Sequence, residues 1–373
     1  MIYLDNAATG GFKPNESLEY AETVMRHLSA NPGRSGHRLS LAGERIVYSA
    51  RETFAKELKC TEERVIFTKN CTEALNLAIF GTVKRGGHVI TTAYEHNSVL
   101  RPLHFLKENG VILLDIVEES ADKDILSAIK EKITDKTYLV VTTAVSNVTG
   151  KVLPIKKIGE FLQPLNIKYL VDGAQGGGHV KLSLSNGINM LAFAGHKGLC
   201  GIMGSGVLSF DEKTEVSPLL FGGTGTNSFS LKQPEEYPER LESGTLNLPA
   251  IASLFFGAKY AFSHIAEFSE YLSVASAKII DELKNEKAFK VYSEPNPAGI
   301  VAFSVDGYSS FEIADILNEK YDIAVRAGLH CAPLYHRLLN TTEGGLVRVS
   351  LAVQNGRRDI ETFLSAVKSI KRR

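Results

Sequence analysis

Short apolar runs of strand length recur between residues 64 and 210, and most are followed by a stretch with apolar positions every three or four residues. The runs at residues 64–70, 88–94, 111–117, 138–145, 168–174, 190–196 and 206–210 predict seven strands. Between them, residues 72–86, 95–110 and 123–134 predict helices, the second ending at Gly110. Continuous apolar strands alternating with helices predict an α/β fold, a mostly parallel seven-stranded sheet covered on both faces. After about Pro249 the pattern changes. One long helical stretch is predicted over residues 250–286, followed by the runs GIVAFSV, IAVRAG and GLVRVSLAV. Helical FEIADILNEK lies among them and RRDIETFLSAVKSIKR closes the chain, so a smaller α+β C-terminal domain is expected. The predicted division is a large domain over 15–250 and a small domain from 1–14 and 251–373. No internal repeat or low-complexity linker interrupts it.

Composition narrows the class. The chain has 373 residues, 44% hydrophobic and 23% charged, ordinary values for a soluble globular protein. Lys+Arg and Asp+Glu are both 42, so no basic excess points to nucleic acid. The opening MIYLDNAATG has neither a basic nor an apolar signal region, and the longest apolar runs are too short to span a bilayer. Cys60, Cys71, Cys200 and Cys331 are widely spaced without a C-x-x-C pair. Reduced thiols, no metal site, no membrane and a cytoplasmic enzyme are the expectation.

In open α/β sheets ligands bind at the carboxyl ends of the strands. The residues there are chemically suggestive. Lys197 follows a strand in AGHKG; it is either a solvated charge or a lysine that forms a Schiff base with a carbonyl, as with pyridoxal phosphate (PLP). Asp172 ends an apolar strand, as a helix cap or as the carboxylate partner of a pyridinium nitrogen. Gln175 and Asn147 are candidates for the phenolic oxygen of that ring. The Cys71–Thr72 turn opens a helix, a position that serves equally as a cap and as a phosphate site. His96 either stacks on a cofactor ring or is structural. Cys331, in RAGLHCAP, is either a packed thiol or a nucleophile.

Together, and in this order, the turn at Thr72, EH, SN-x-x-G, D-x-A-Q and GHK resemble fold-type I PLP enzymes of the class V aminotransferase group, over almost the whole chain. NPGRSGH, ERLESGTLN, RAGLHC and VRVSLAVQN resemble its cysteine desulfurase and selenocysteine lyase branch, and R-x-G-x-H-C its group II subtype. The resemblance implies a Schiff-base role for Lys197 and pyridinium pairing for Asp172. It implies ring stacking by His96, phenolic-oxygen contacts from Gln175 and Asn147, and phosphate contacts from Thr72, in the turn with Cys71, and from His196 in GHK. The group often has a serine where Ala194 stands. Thr224 and Thr226 would complete the phosphate site of a homodimer partner. Arg348, with Asn147 and Ala7, would bind the substrate, Arg348 gripping its carboxylate. Cys331 would accept sulfur from L-cysteine, leaving alanine and a persulfide bound for an acceptor protein. Selenocysteine as substrate, another class V activity (aminotransferase or β-lyase) and an inactive scaffold for sulfur or iron–sulfur assembly are the alternatives.

Overall fold

All seven expected strands form, and they pair into one sheet. The computed structural model describes residues 1–370. The chain opens with β1 (Ile2–Tyr3). The large sheet contains β2 (Val65–Thr68), β3 (His88–Thr92), β4 (Leu113–Val117) and β5 (Thr137–Thr143). It continues with β6 (Lys168–Asp172), β7 (Met190–Ala194) and β8 (Gly206–Phe210). Its order is β2-β8-β7-β6-β5-β3-β4, and only the two pairings made by β8 are antiparallel.

Two-sided burial explains the unbroken apolar runs. In β5, Leu139 and Val141 face a core containing Leu75 of α3 (Cys71–Gly81) and Leu103 of α4 (Asn97–Glu108). Val140 faces the opposite core. That core takes Val24 from α1 (Asn15–His27), Phe54 from α2 (Arg38–Leu58) and Ile129 from α5 (Ile125–Lys132). Ile158 of α6 (Ile155–Leu162) and Ile251 of α7 (Leu248–Ser263) complete it. Because β2, β3, β5, β6 and β7 run the same way, the residues after them gather along one edge. The order reverses between β3 and β5, where a crevice is expected.

The second lobe has its own core. β9 (Phe289–Val291), β10 (Ile300–Val305) and β12 (Val347–Ser350) form an antiparallel sheet, with β10 central. β11 (Ile323–Ala324) pairs in parallel with β1, which brings Leu4 into this core beside Phe303 and Val349. Leu272 of α8 (Ile265–Lys284), Leu317 of α9 (Ser310–Tyr321) and Phe363 of α11 (Arg357–Lys368) cover the sheet. The short α10 (Pro333–Leu338) follows Cys331.

Two expectations need correction. The stretch over 250–286 is not one helix, because it breaks at His264, whose φ of −118° and ψ of 12° leave the helical region. The Ser263 hydroxyl and the His264 ring both bind the Tyr260 carbonyl, competing with the helical ladder. The closing helix ends at Lys368, and residues 371 and 372 of that stretch lie outside those described. No helix among the described residues is long and apolar enough to cross a membrane.

Candidate active site

The strand ends build one cavity, lined by Cys71, Thr72, His96, Asn147, Asp172, Gln175, His196 and Lys197. Glycines let its two halves close. A Cβ on Gly198 would strike the Gly177 carbonyl, and one on Gly178 (φ 80°) would strike the Gly198 carbonyl. The Lys197 turn therefore lies directly against the GGG segment that follows Asp172 and Gln175.

Asp172 is 3% exposed, and burial raises its carboxyl pKa. Its Oδ1 accepts from the Ala174 N–H at 2.8 Å and from the Cys71 thiol at 3.6 Å, while Oδ2 takes no hydrogen bond among the described residues. Cys71 thus donates to the key carboxylate. Burial lowers the Lys197 pKa, and Asp172 only partly restores it. An amine that ionises less readily in water-poor surroundings is the form that condenses with a carbonyl.

Helix α3 presents its N-terminus to the same cavity. Asn70 caps it through the Glu73 N–H at 2.9 Å, and Glu73 Oε2 accepts from the Lys69 N–H at 2.6 Å. The amides of Cys71 and Thr72, in the first turn, have no helical partner. The Thr72 hydroxyl meets Ser98 Oγ at 2.8 Å, and that oxygen also lies 2.9 Å from His96 Nδ1. His96 Nδ1 accepts from the Ser98 N–H at 3.0 Å and caps α4, which leaves the ring proton on Nε2. Burial, reinforced by Lys197, pushes the His96 pKa down to about 4. His196 is likewise pushed to about 4, again mainly by burial, with Nδ1 3.1 Å from the Thr9 hydroxyl. Both rings are neutral at physiological pH.

Several expected partners are already engaged within the chain. Gln175 Nε2 donates to the Ala7 carbonyl at 2.8 Å. Asn147 Nδ2 donates to the His330 carbonyl at 2.6 Å. Arg348 is 1% exposed; it donates from Nη2 to Asp5 Oδ1 and from Nη1 to the Asn147 carbonyl, each at 2.8 Å. Its Nε is buried without a partner, so a donor remains for a further anion. Cys331 is exposed on the loop before α10, outside the cavity lining, and its carbonyl accepts the Asn97 N–H at 2.8 Å. The neighbouring His330 does not act on the thiol by titration. That ring is 3% exposed, donates from Nε2 to the Leu346 carbonyl at 3.1 Å, and is held by burial down at about 2. Thr224 and Thr226 are not brought to this cavity. They line another one with Arg34 and meet each other at 3.1 Å.

The sequence reading missed Asp5 and Ser98, and gave no role to Glu95 of the EH motif. Glu95 is fully buried and pushed up to about 8 by burial, with Oε1 held by the Thr92 hydroxyl at 2.6 Å and the Thr143 N–H at 3.0 Å. Ser98, two residues beyond a capping histidine, carried a local signal; Asp5, 343 residues from Arg348, carried none.

A buried carboxylate with an unfilled oxygen, a shielded lysine and an open helix N-terminus suit a pyridine nitrogen, an aldehyde and a phosphate, respectively. On this sheet they define a fold-type I PLP enzyme. The chain belongs to the aminotransferase class-V family, whose model matches residues 2–363. It is 31% identical over 389 residues to a probable cysteine desulfurase of Pyrococcus abyssi, covering 99% of this chain and 94% of that one. It is 29% identical over 384 residues to one from Methanothermobacter thermautotrophicus, with the same coverage. The apo structure of a cysteine desulfurase from Thermococcus onnurineus superposes with a TM-score of 0.92 at 30% identity, over 99% of this chain and 94% of that one. The resemblance read from the motifs holds.

Proposed function

We propose that the protein is a PLP-dependent cysteine desulfurase that converts L-cysteine to L-alanine and collects the sulfur on Cys331. The observation that carries this reading is one arrangement: Lys197 and Asp172 line a single cavity, and the loop that carries an exposed thiol is tied through its Cys331 and His330 carbonyls to Asn97 at the start of α4 and to Asn147 of the cavity lining. Lys197 would hold the cofactor aldehyde, Asp172 and Cys71 its pyridine side, His96 its ring face, and Thr72 with the α3 amides its phosphate. The bound cofactor supplies an electron sink for the substrate α-carbon. Lys197, with its lowered pKa, takes the α-proton as a neutral amine. Arg348 fixes the substrate carboxylate through its unfilled Nε and remaining Nη protons. The Cys331 thiolate attacks the substrate sulfur: an S–S bond forms, the Cβ–S bond breaks, and its electron pair stays with Cβ, which takes a proton to become the alanine methyl. Cysteine plus thiol gives alanine plus persulfide, with no outside oxidant.

The segment carrying Thr224 and Thr226 supports a homodimer reading, because Leu220, Phe221, Phe229 and Leu231 are all exposed along it. We assign that surface to a second copy, whose cavity would receive these threonines. The persulfide would pass to a thiol acceptor protein in the cytoplasm. The test is a product assay with L-cysteine and L-selenocysteine side by side, with and without a reductant. With the reductant, equimolar alanine and sulfide from L-cysteine are expected; without it the sulfur should remain on Cys331 as a persulfide. Lys197→Ala should lose the visible absorbance, and Cys331→Ser should keep it while releasing no sulfide. A serine variant that desulfurates cysteine at the wild-type rate would remove Cys331 from the mechanism, and activity on selenocysteine alone would reassign the substrate.

A further inference from the structure

The backbone around the exposed thiol is unusual. His330 (φ 48°) and Cys331 (φ 57°) are consecutive residues in the left-handed region, and the Ala332 N–H closes on the Leu329 carbonyl at 2.9 Å. That sign pattern with a four-residue closure matches a type I′ turn, whose central positions favour asparagine and glycine. Histidine enters the left-handed region more readily than most residues, but the cysteine that follows it has no local reason to do so. Something else must hold the turn.

The two central carbonyls show what does. The Cys331 carbonyl accepts the N–H of Asn97, the first residue of α4 and the neighbour of His96. The His330 carbonyl accepts Nδ2 of Asn147, whose own carbonyl receives Arg348. Both donors stand at strand ends of the large sheet, so neither moves with the second lobe's short loop. On the other side the loop is fixed to its own lobe by Gly328 N–H to the Leu346 carbonyl, at 3.1 Å.

We propose that Asn97 and Asn147 form a two-point latch that holds the His330–Cys331 turn in its left-handed form, and that this latch positions the thiol for sulfur transfer. The positional part stands on hydrogen bonds alone; the transfer part rests on the function proposed above. The latch also joins three tasks mechanically, since the same two residues adjoin the His96 helix cap, the Arg348 guanidinium and the thiol loop. The thiol is thereby presented at a fixed place, and an acceptor must come to it.

Asn97→Pro tests this cleanly. Proline is favoured at the first helical position, and His96 already has φ −69° and ψ 154°, the conformation a residue before proline prefers. The substitution removes the N–H and crowds the Cys331 carbonyl, whereas Asn97→Ala keeps the N–H. Hydrogen exchange of the loop amides should accelerate about fivefold in Asn97→Pro, the ratio expected for one lost hydrogen bond. Protection along α4 should persist, and Asn97→Ala should match wild type. Sulfide release from L-cysteine should fall more than α-proton exchange of L-alanine, which needs no thiol. Unchanged loop exchange, equal acceleration in Asn97→Ala, or an equal fall of both reactions would each overturn the latch. Wild-type enzyme that fails to desulfurate cysteine would instead defeat the functional reading, because loop exchange is measured without turnover.

Discussion

His330 makes the thiol loop acid-sensitive, and the effect can be worked through. Its ring is 3% exposed, Nδ1 is buried without a partner, and burial holds the folded pKa near 2 against an unfolded value near 6.5. Below pH 6.5 the unfolded chain binds a proton that the folded chain refuses, so stability rises with pH in this window and is lost as pH falls. Each pH unit is worth about 1.4 kcal/mol, so at pH 5 this one group costs about 2 kcal/mol relative to pH 7. His96 and His196, both near 4, add in the same sense. Glu95, raised to about 8, acts in the opposite sense between roughly 4.5 and 8, so the slope of the whole protein is not the readout. The readout is the difference between wild type and His330→Asn. Asparagine does not titrate and tolerates the left-handed backbone, but it loses the bond to Leu346 and some packing, so the two curves start apart. Urea unfolding of both cofactor-free proteins from pH 8 to 5 should show the gap narrowing or reversing by about 2 kcal/mol. Parallel curves would mean that His330 takes up its proton without penalty, and the claim that it is a buried neutral group would fall.

Three further outcomes follow from the site. Asp5→Ala leaves Arg348 buried without its counter-ion; because Asp5 is partly exposed, the loss should be about 2 kcal/mol rather than the full cost of a buried pair, read from the denaturant midpoint together with a higher KM for L-cysteine. Gly198→Ala drives a methyl into the Gly177 carbonyl and should cost about 1–3 kcal/mol while displacing the Lys197 turn, so melting temperature and visible absorbance after adding PLP should both fall. Burial raises the Asp172 carboxyl pKa and the Cys71 thiol is one of the groups that partly offset it; Cys71→Ala removes that hydrogen bond, and titration of the apo protein should show PLP affinity reduced about fivefold, with Cys71→Ser restoring most of it.

What could be read from the chain alone follows a physical boundary. Strand periodicity is local, so the seven-stranded sheet and the residues at its carboxyl ends were legible, and eight of those residues do line one cavity. Hydrogen-bond allocation is not local. Gln175 and Asn147 were expected to face a cofactor, yet each already gives a proton to a carbonyl more than 150 residues away, Ala7 and His330 respectively. Arg348 was expected to await a carboxylate, and Asp5 supplies one in advance. The same distinction separates the two kinds of turn in the site. The Lys197 turn sits among glycines, so its tight packing is written beside it. The His330–Cys331 turn contradicts its own local preference, and its cause lies on Asn97 and Asn147, which only the tertiary fold brings near. A residue pair that defies local preference at a reactive thiol therefore has to be explained by distant donors, and removing one of those donors is the most direct way to learn whether the thiol's position matters to its chemistry.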